Sequence, residues 1–225
     1  MSVFEIDSHH IYRVAPLARL SWLEHGFGTR HTRAWPARER LVALHQIHSD
    51  RILTADGTAR GRIGEGDGLI TNRAGILLGV RTADCPPILI VDERRRAVSA
   101  IHAGWRGAVA GIAARAVERL ASEFGSRPED LLAAIGPSIG GCCYQVGPEV
   151  ASQFRGIFPE RGDLDRKSRI DLSEAIRRQL VTAGIPRERI FTGAPCTLCD
   201  PDFHSFRRDA TERRMCSVIG IREAV

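Results

Sequence analysis

The sequence predicts a mixed α/β (α+β) fold in a single domain over residues 1–225, and three observations lead there. Short apolar runs rich in β-branched residues recur along the chain, each bounded by turn formers, which is the pattern of buried strands. Other segments carry apolar residues every three or four positions, the pattern of helices with one buried face. No linker rich in Pro, Gly or Ser divides the 225 residues, a length that suits one substantial core.

The strands are clearest between Gly75 and Gly107, GILLGVRTADCPPILIVDERRRAVSAIHAGWRG. Apolar runs at 76–80, 87–91 and 97–101 are separated by polar breaks. The charged turn from Asp92 to Arg96 makes the last two runs a hairpin. Cys85 falls at the break between two strands, followed by Pro86 and Pro87, whose rings fix the backbone. His102 ends the third strand, just before Gly104-Trp105-Arg106-Gly107. A thiol and an imidazole at neighbouring strand ends mark a site on a rigid scaffold.

In chain order, residues 1–36 read as an entry segment with a strand or two, and 31–40 as a basic loop. An apolar stretch at 41–44 leads into His45-Gln46-Ile47-His48-Ser49-Asp50. Strand alternation there sets His45 and His48 on opposite faces, so the two are not expected to share a metal. Residues 57–66 are glycine-rich and read as a loop, and Asp67-Gly68 as a turn into a strand at 69–71. Val109, Ile112, Ala113, Ala116, Val117 and Leu120 predict a helix over 108–124 that Gly125 ends. A strand at 131–135 is followed by a glycine-dense loop at 136–144. A helix with proline in its first turn spans 148–158. Asp171, with Glu174 three residues on, caps a helix over 172–183. Short strands at 189–192 and 215–221 flank the segment Cys196 to Asp209.

Composition excludes several classes. Hydrophobic residues make up 43% and charged residues 26%, the profile of an ordinary globular protein. The net charge of +5 comes largely from scattered arginines, which suits anionic small molecules such as phosphate better than a nucleic acid. No apolar run reaches the roughly 18–20 residues of a membrane span. The first residues carry no basic stretch followed by an apolar core, so no signal peptide is expected and the location is expected to be cytoplasmic. Six cysteines are then more naturally thiols or metal ligands than disulfides. The chain is expected to be a monomer or a small homo-oligomer.

Three constellations carry chemistry. His48, Cys85 and His102 supply two imidazoles and a thiolate, enough for zinc with a fourth position open. They lie far apart in the sequence, and on residue types alone an inert buried cysteine with two hydrogen-bonded histidines is the better account. Arg30, Arg106, Arg207 and Arg208 each adjoin a glycine- or serine-containing turn, a setting for oxyanion or phosphate binding. Cys85 with His102 would also make a nucleophile–base pair oriented by Asp84, a reading that competes with metal ligation. Cys196-x-x-Cys199 is half of a zinc knuckle or a redox pair, but with no second such pair it reads as structural. The vicinal Cys142-Cys143 reads as packing.

The segments HQIHSD, DGLIT, RTADCPPILI, AIHAGWRG, AIGPSIGGCCYQVG and CTLCDPDFHSFRRD resemble, in order, the motifs of the laccase-domain family, also called multicopper polyphenol oxidase-like. Its members are described as purine nucleoside phosphorylases with adenosine deaminase activity. The resemblance spans residues 45–209 and implies a layered fold, mixed β-sheets inside and helices outside. It places the family's zinc ligands on His48, Cys85 and His102. It also implies purine nucleosides and phosphate as substrates, with the arginines of HAGWRG and FRRD holding phosphate and His204 or Asp84 donating a proton. Zinc with an open position suits the water activation that deamination at adenine C6 requires. Arg30 is followed by His31-Thr32-Arg33-Ala34-Trp35, where the family has a glycine pair and a serine. Copper is the alternative metal, because two histidines and a cysteine also make a blue-copper centre. A multicopper oxidase needs a trinuclear cluster besides, which 8 histidines without paired His-x-His motifs do not supply.

Overall fold

The computed structural model describes residues 3–58 and 60–223. Residues 1, 2, 224 and 225 at the ends of the expected domain, and residue 59 within the expected loop 57–66, lie outside the described residues. In chain order the strands are β1 Phe4–Ile6, β2 Ile11–Val14, β3 Leu23–Gly28, β4 Leu41–His45, β5 Ile52–Thr54, β6 Gly61–Glu65, β7 Gly68–Thr71 and β8 Leu77–Thr82. They continue with β9 Pro87–Asp92, β10 Ala97–His102, β11 Leu131–Ile135, β12 Gln145–Val146, β13 Ser168–Arg169, β14 Ile190–Phe191 and β15 Met215–Ile221. A seven-stranded sheet runs β1-β2-β3-β15-β8-β4-β6 and a six-stranded sheet β14-β11-β9-β10-β7-β5, while β12 and β13 pair by themselves.

The strand readings at 76–80, 87–91 and 97–101 correspond to β8, β9 and β10. The last two form the antiparallel hairpin read from the charged turn, with Ala97 opposite Asp92 and His102 opposite Pro87. Their apolar runs are unbroken because both faces are covered. On β9, Leu89 and Val91 join a core with Val42, Leu78 and Ile219 of the seven-stranded sheet. Ile88 and Ile90 face the other way, into a core with Ile112, Ala116, Leu120 and Ile176 of the helices. The layers are therefore sheet, sheet, helices, and strand alternation decides which core each side chain enters. Truncating a side chain such as Leu89 to alanine would cost about 2–5 kcal/mol.

The helix expected over 108–124 is two helices, Trp105–Val109 and Ile112–Phe124. Gly111 separates them in the left-handed conformation at φ 81°, which only glycine enters freely. Asp171 caps Leu172–Thr182 by accepting the amide of Glu174 at 2.9 Å. The expected helix 148–158 is shorter: Pro148–Ala151 tightens into a 3₁₀ turn at Ser152–Phe154. Pro159 disfavours helix at Phe158, and the tighter path buries both Phe154 and Phe158. Within the expected loop 57–66 the structure forms β6, an edge strand parallel to β4. It is held by ladder pairing rather than burial, so its composition carries no strand signal.

Candidate active site

Between β8 and β9 the chain crosses from the seven-stranded to the six-stranded sheet, and this crossing carries Cys85. Asp84 there adopts a left-handed φ of 88°, a strained conformation for a residue with a Cβ that costs about 1–3 kcal/mol and must be held by its surroundings. Both carboxylate oxygens hold it: one accepts the Thr197 hydroxyl and the other the Arg207 amide, each at 2.7 Å. Its carbonyl accepts the Ile139 amide at 2.8 Å. Asp84 thus ties three loops together beside Cys85. His102 ends β10, and His48 follows β4 with φ 58°. Strand alternation does not extend to His48, because β4 stops at His45.

A carboxylate absent from the sequence-based candidates organises this edge. Asp67, fully buried, accepts the amides of Ile47, His48 and Ser49 at 3.2, 3.0 and 2.6 Å and the Ser49 hydroxyl at 2.7 Å. Its Oδ1 lies 2.8 Å from Nδ1 of His102, and its carbonyl accepts the His102 amide at 2.7 Å. Sequence reading saw a turn at Asp67-Gly68 and the DGLIT motif but gave Asp67 no role, and nothing in that local pattern marks a buried carboxylate. Its pKa falls to about 2: burial pushes upward, but hydrogen bonds from His102 and Ser49 outweigh it. With Nδ1 engaged, His102 turns Nε2 toward the site, the arrangement that fixes tautomer and ring in metal-binding histidines.

The donor atoms of His48, Cys85 and His102 lie within 4.8 Å of one another. The two rings stand edge to face, 4.9 Å apart between centroids at 83°. Burial would raise the Cys85 thiol, yet hydrogen bonds from His102 and His48 bring it down to about 6. Burial would lower His102, yet Asp67 and Cys85 raise it to about 9. The thiolate is therefore the favoured form of Cys85, as ligation requires. Gly104 keeps the space clear, since a Cβ there would meet His48 Cδ2 at 2.7 Å and Cys85 Sγ at 3.4 Å. Two imidazoles and a thiolate suit zinc or copper. His45 lies outside this donor group. The donors open into a cavity of about 800 Å³, lined among others by Gln46, Asp84, Trp105, Ile139, Tyr144, Phe206 and Arg207.

Residues 29–222 match the family described as multi-copper polyphenol oxidoreductase laccase. The chain belongs to this family. It is 38% identical to a purine nucleoside phosphorylase of Deinococcus radiodurans over 82% of this chain and 72% of that protein. It is 37% identical to the purine nucleoside phosphorylase YlmD of Geobacillus stearothermophilus, over 82% and 73% respectively. The crystal structure of YlmD from that organism superposes with a TM-score of 0.90 at 29% identity, covering 99% of this chain and all of the other. That of the hypothetical protein YfiH of Bacillus licheniformis gives 0.89 at 28%, with the same coverage.

The laccase-family fold separates the four arginines read as anion ligands. Arg207 lines the cavity, donates from Nη1 to the Gln145 carbonyl at 2.8 Å and stands 5.3 Å from the Tyr144 ring centroid. Arg106 is exposed beside Trp105, 4.4 Å from its ring centroid, and is not among the lining residues. Arg208 is committed elsewhere. It donates to the carbonyls of Thr197, Leu198, Asp200 and Phe203 and forks onto Asp209, so it holds a loop. Arg30 donates to the Pro201 carbonyl at 3.0 Å and faces a separate recess with His10 and His31. His204 is buried against Met215, its amide 3.1 Å from the sulfur, and does not line the cavity. Asp84 lines it, but with both oxygens engaged it positions its neighbours instead of offering a proton.

Arg62, Arg81 and Arg214 line the cavity instead. They come from β6, β8 and the segment before β15; Arg62 stood in the glycine-rich stretch 57–66 without being singled out, and no turn marked Arg81 or Arg214 in the sequence. Burial raises the Tyr144 hydroxyl to about 12, so it remains a hydrogen-bond donor. The fold also brings Cys142-Cys143, read as packing, together with Cys196-x-x-Cys199, read as structural. Cys142, Cys143, Cys196 and Cys199 form a second donor group within 4.8 Å.

Proposed function

We propose that the chain is a zinc-dependent purine nucleoside phosphorylase, converting adenosine, inosine or methylthioadenosine with phosphate to free base and ribose 1-phosphate, and that the same site deaminates adenosine. The observation that carries this reading is a two-histidine, one-thiolate donor set, backed by Asp67, opening into a cavity with arginines in its lining. The names of the relatives agree with its phosphorylase part. His48, Cys85 and His102 would hold the ion, with Asp67 fixing His102. Bound there, zinc supplies a Lewis acid at the nucleoside.

Arg207, with Arg81, Arg62 and Arg214, would bind phosphate by charge-assisted hydrogen bonds. Trp105, Tyr144 and Phe206 offer aromatic surface to a purine. In phosphorolysis the C1′–N9 bond breaks, a phosphate oxygen bonds to C1′, and the departing base takes a proton. His45, Tyr144 and Glu212 are lining side chains able to carry it.

Inosine supplied with phosphate should yield hypoxanthine and ribose 1-phosphate, and neither without phosphate. Adenosine alone should yield inosine and ammonia. Hypoxanthine together with free ribose in the absence of phosphate would make the enzyme a hydrolase and overturn the reading. A second reading rests on the Cys85 thiolate beside a protonated His102, which also suits a nucleophile. It requires activity that survives metal removal and is blocked by alkylation.

A further inference from the structure

The second cysteine group lies outside the cavity lining. Its Sγ atoms are 3.2 Å apart for Cys143 and Cys199, 3.5 Å for Cys142 and Cys143, and 3.9 Å for Cys142 and Cys199. Those of all four, Cys196 included, fall within 4.8 Å. A tetrahedral ion with bonds of about 2.3 Å to sulfur sets its ligands about 3.8 Å apart, and the observed separations bracket that edge. A disulfide would bring one pair to about 2.05 Å and leave the others apart. Here three sulfurs are mutually close and none is bonded.

The backbone is arranged to the same end. One turn presents Cys142 and Cys143, with the amides of Cys143 and Tyr144 donating to the Gly140 carbonyl at 2.9 Å. The other presents Cys196 and Cys199 and closes with the Asp200 amide on the Cys196 carbonyl at 2.9 Å. The Thr197 amide donates to the Ser138 carbonyl at 3.0 Å, holding the turns side by side. The Gly140 amide points at Cys196 Sγ at 3.2 Å, a hydrogen bond that favours thiolate. A Cβ on Gly140 would press on Cys142 Sγ at 3.2 Å and on the Cys196 Cβ at 3.4 Å, so glycine is what lets the sulfurs converge.

We propose that Cys142, Cys143, Cys196 and Cys199 are a second metal site, a closed tetrathiolate that binds zinc and clamps the loop 136–144, which lines the cavity through Ile139 and Tyr144, to the turn from Cys196 to Cys199. Each thiol releases its proton to solvent on binding and no electron is transferred. Four sulfurs fill the tetrahedron, so the site is structural. Its consequence for the cavity runs through Tyr144, next to Cys143, and through Thr197, whose hydroxyl holds Asp84 and thereby the Arg207 amide.

Metal analysis of the full chain, purified under reducing conditions without chelator, tests this. Wild type should contain two zinc ions per chain, Cys85→Ala one, and Cys199→Ser one. Cys85→Ala loaded with cobalt(II) should show the intense thiolate charge-transfer and tetrahedral d–d bands of a sulfur-rich site. A Cys85→Ala/Cys199→Ser double variant should lack them. Should Cys199→Ser fail to fold, the Cys85→Ala protein alone reads the site. One zinc in wild type with none in Cys85→Ala overturns the proposal, as does iron in place of zinc or a Cys143–Cys199 disulfide in the isolated protein. Loss of zinc from the Cys85 site leaves it standing.

Discussion

The two thiol-bearing sites meet at Cys143 and Tyr144 and are built on opposite plans. His48, Cys85 and His102 come from the connection after β4, the β8–β9 crossing and the end of β10, at one edge of two stacked sheets, and a buried carboxylate fixes one of the imidazoles. Cys142, Cys143, Cys196 and Cys199 come from two surface turns and offer sulfur alone. Three unlike donors leave a coordination position facing the cavity, whereas four like donors leave none. The core prevents the sheet ends from yielding, so they can hold a reactive geometry. The turns rest on the helix-side core through Ile139, Tyr144 and Leu198 and gain further order from being tied together. Rigidity is thus inherited at the first site and reinforced locally at the second.

The largest expected effect of breaking this contrast is at Cys85. Cys85→Ala should lose one metal and bring nucleoside turnover to background, with Tm lowered by loss of the ion's binding to the folded chain. Full metal occupancy with lost activity would return Cys85 to the role of nucleophile. Asp67→Asn should come next. The amides of residues 47–49 and Nδ1 of His102 all converge on its oxygens, and asparagine turns one acceptor into a donor. Metal affinity should fall about 10–100-fold, measured by competition with a chromophoric chelator. A purely architectural role would lower Tm and leave the dissociation constant unchanged.

How much of this was legible in the sequence depended on whether a residue's partners were local. The strands of 76–101 were readable because both faces are buried and the runs stay apolar. His48, Cys85 and His102 were reachable through motifs and resemblance, though not through spacing. Asp67 was not, because its role arises from contacts 18 to 35 residues away while its own neighbourhood reads as a turn. The Cys142-Cys143 pair has no knuckle spacing and becomes a donor group only when Ser138 and Cys196 are brought side by side. Arg208 and Arg30 bond backbone carbonyls for a related reason. A basic side chain beside a turn is as well placed to hold the turn's carbonyls as to hold phosphate, and only the fold decides.

Arg207 and Arg208, adjacent in sequence, sharpen the distinction between cavity and clamp. Arg207→Leu should raise the KM for phosphate about 10- to 100-fold, the worth of a hydrogen bond to a charged group, with adenosine deamination much less affected. Arg208→Leu should instead lower Tm, because it frees the carbonyls of Thr197, Leu198 and Phe203, and should change both activities together. If the two variants behaved alike, the assignment of Arg207 to phosphate would fail.

The smallest effect leaves turnover at neutral pH untouched and separates metal release from unfolding in acid. His25 is as buried as His102, at 3% against 4% exposure, yet its surroundings are reversed. Burial, then the charges of Arg13 and Arg222, lower its pKa to about 4, and the neutral ring accepts the Val14 amide at Nε2 at 3.0 Å. The unfolded chain binds a proton there near pH 6.5 and the folded chain does not until about pH 4. Stability from this site is therefore complete above pH 6.5 and declines as pH falls toward 4. The loss reaches about 2 kcal/mol by pH 5. His25→Gln keeps an acceptor for Val14 and removes the titration, so its acid unfolding midpoint should move to lower pH. Metal release should keep its wild-type pH dependence, because protonation of Cys85 and its partners is unaltered. Coincident unfolding curves for the variant and wild type would show that His25 is not the group that titrates.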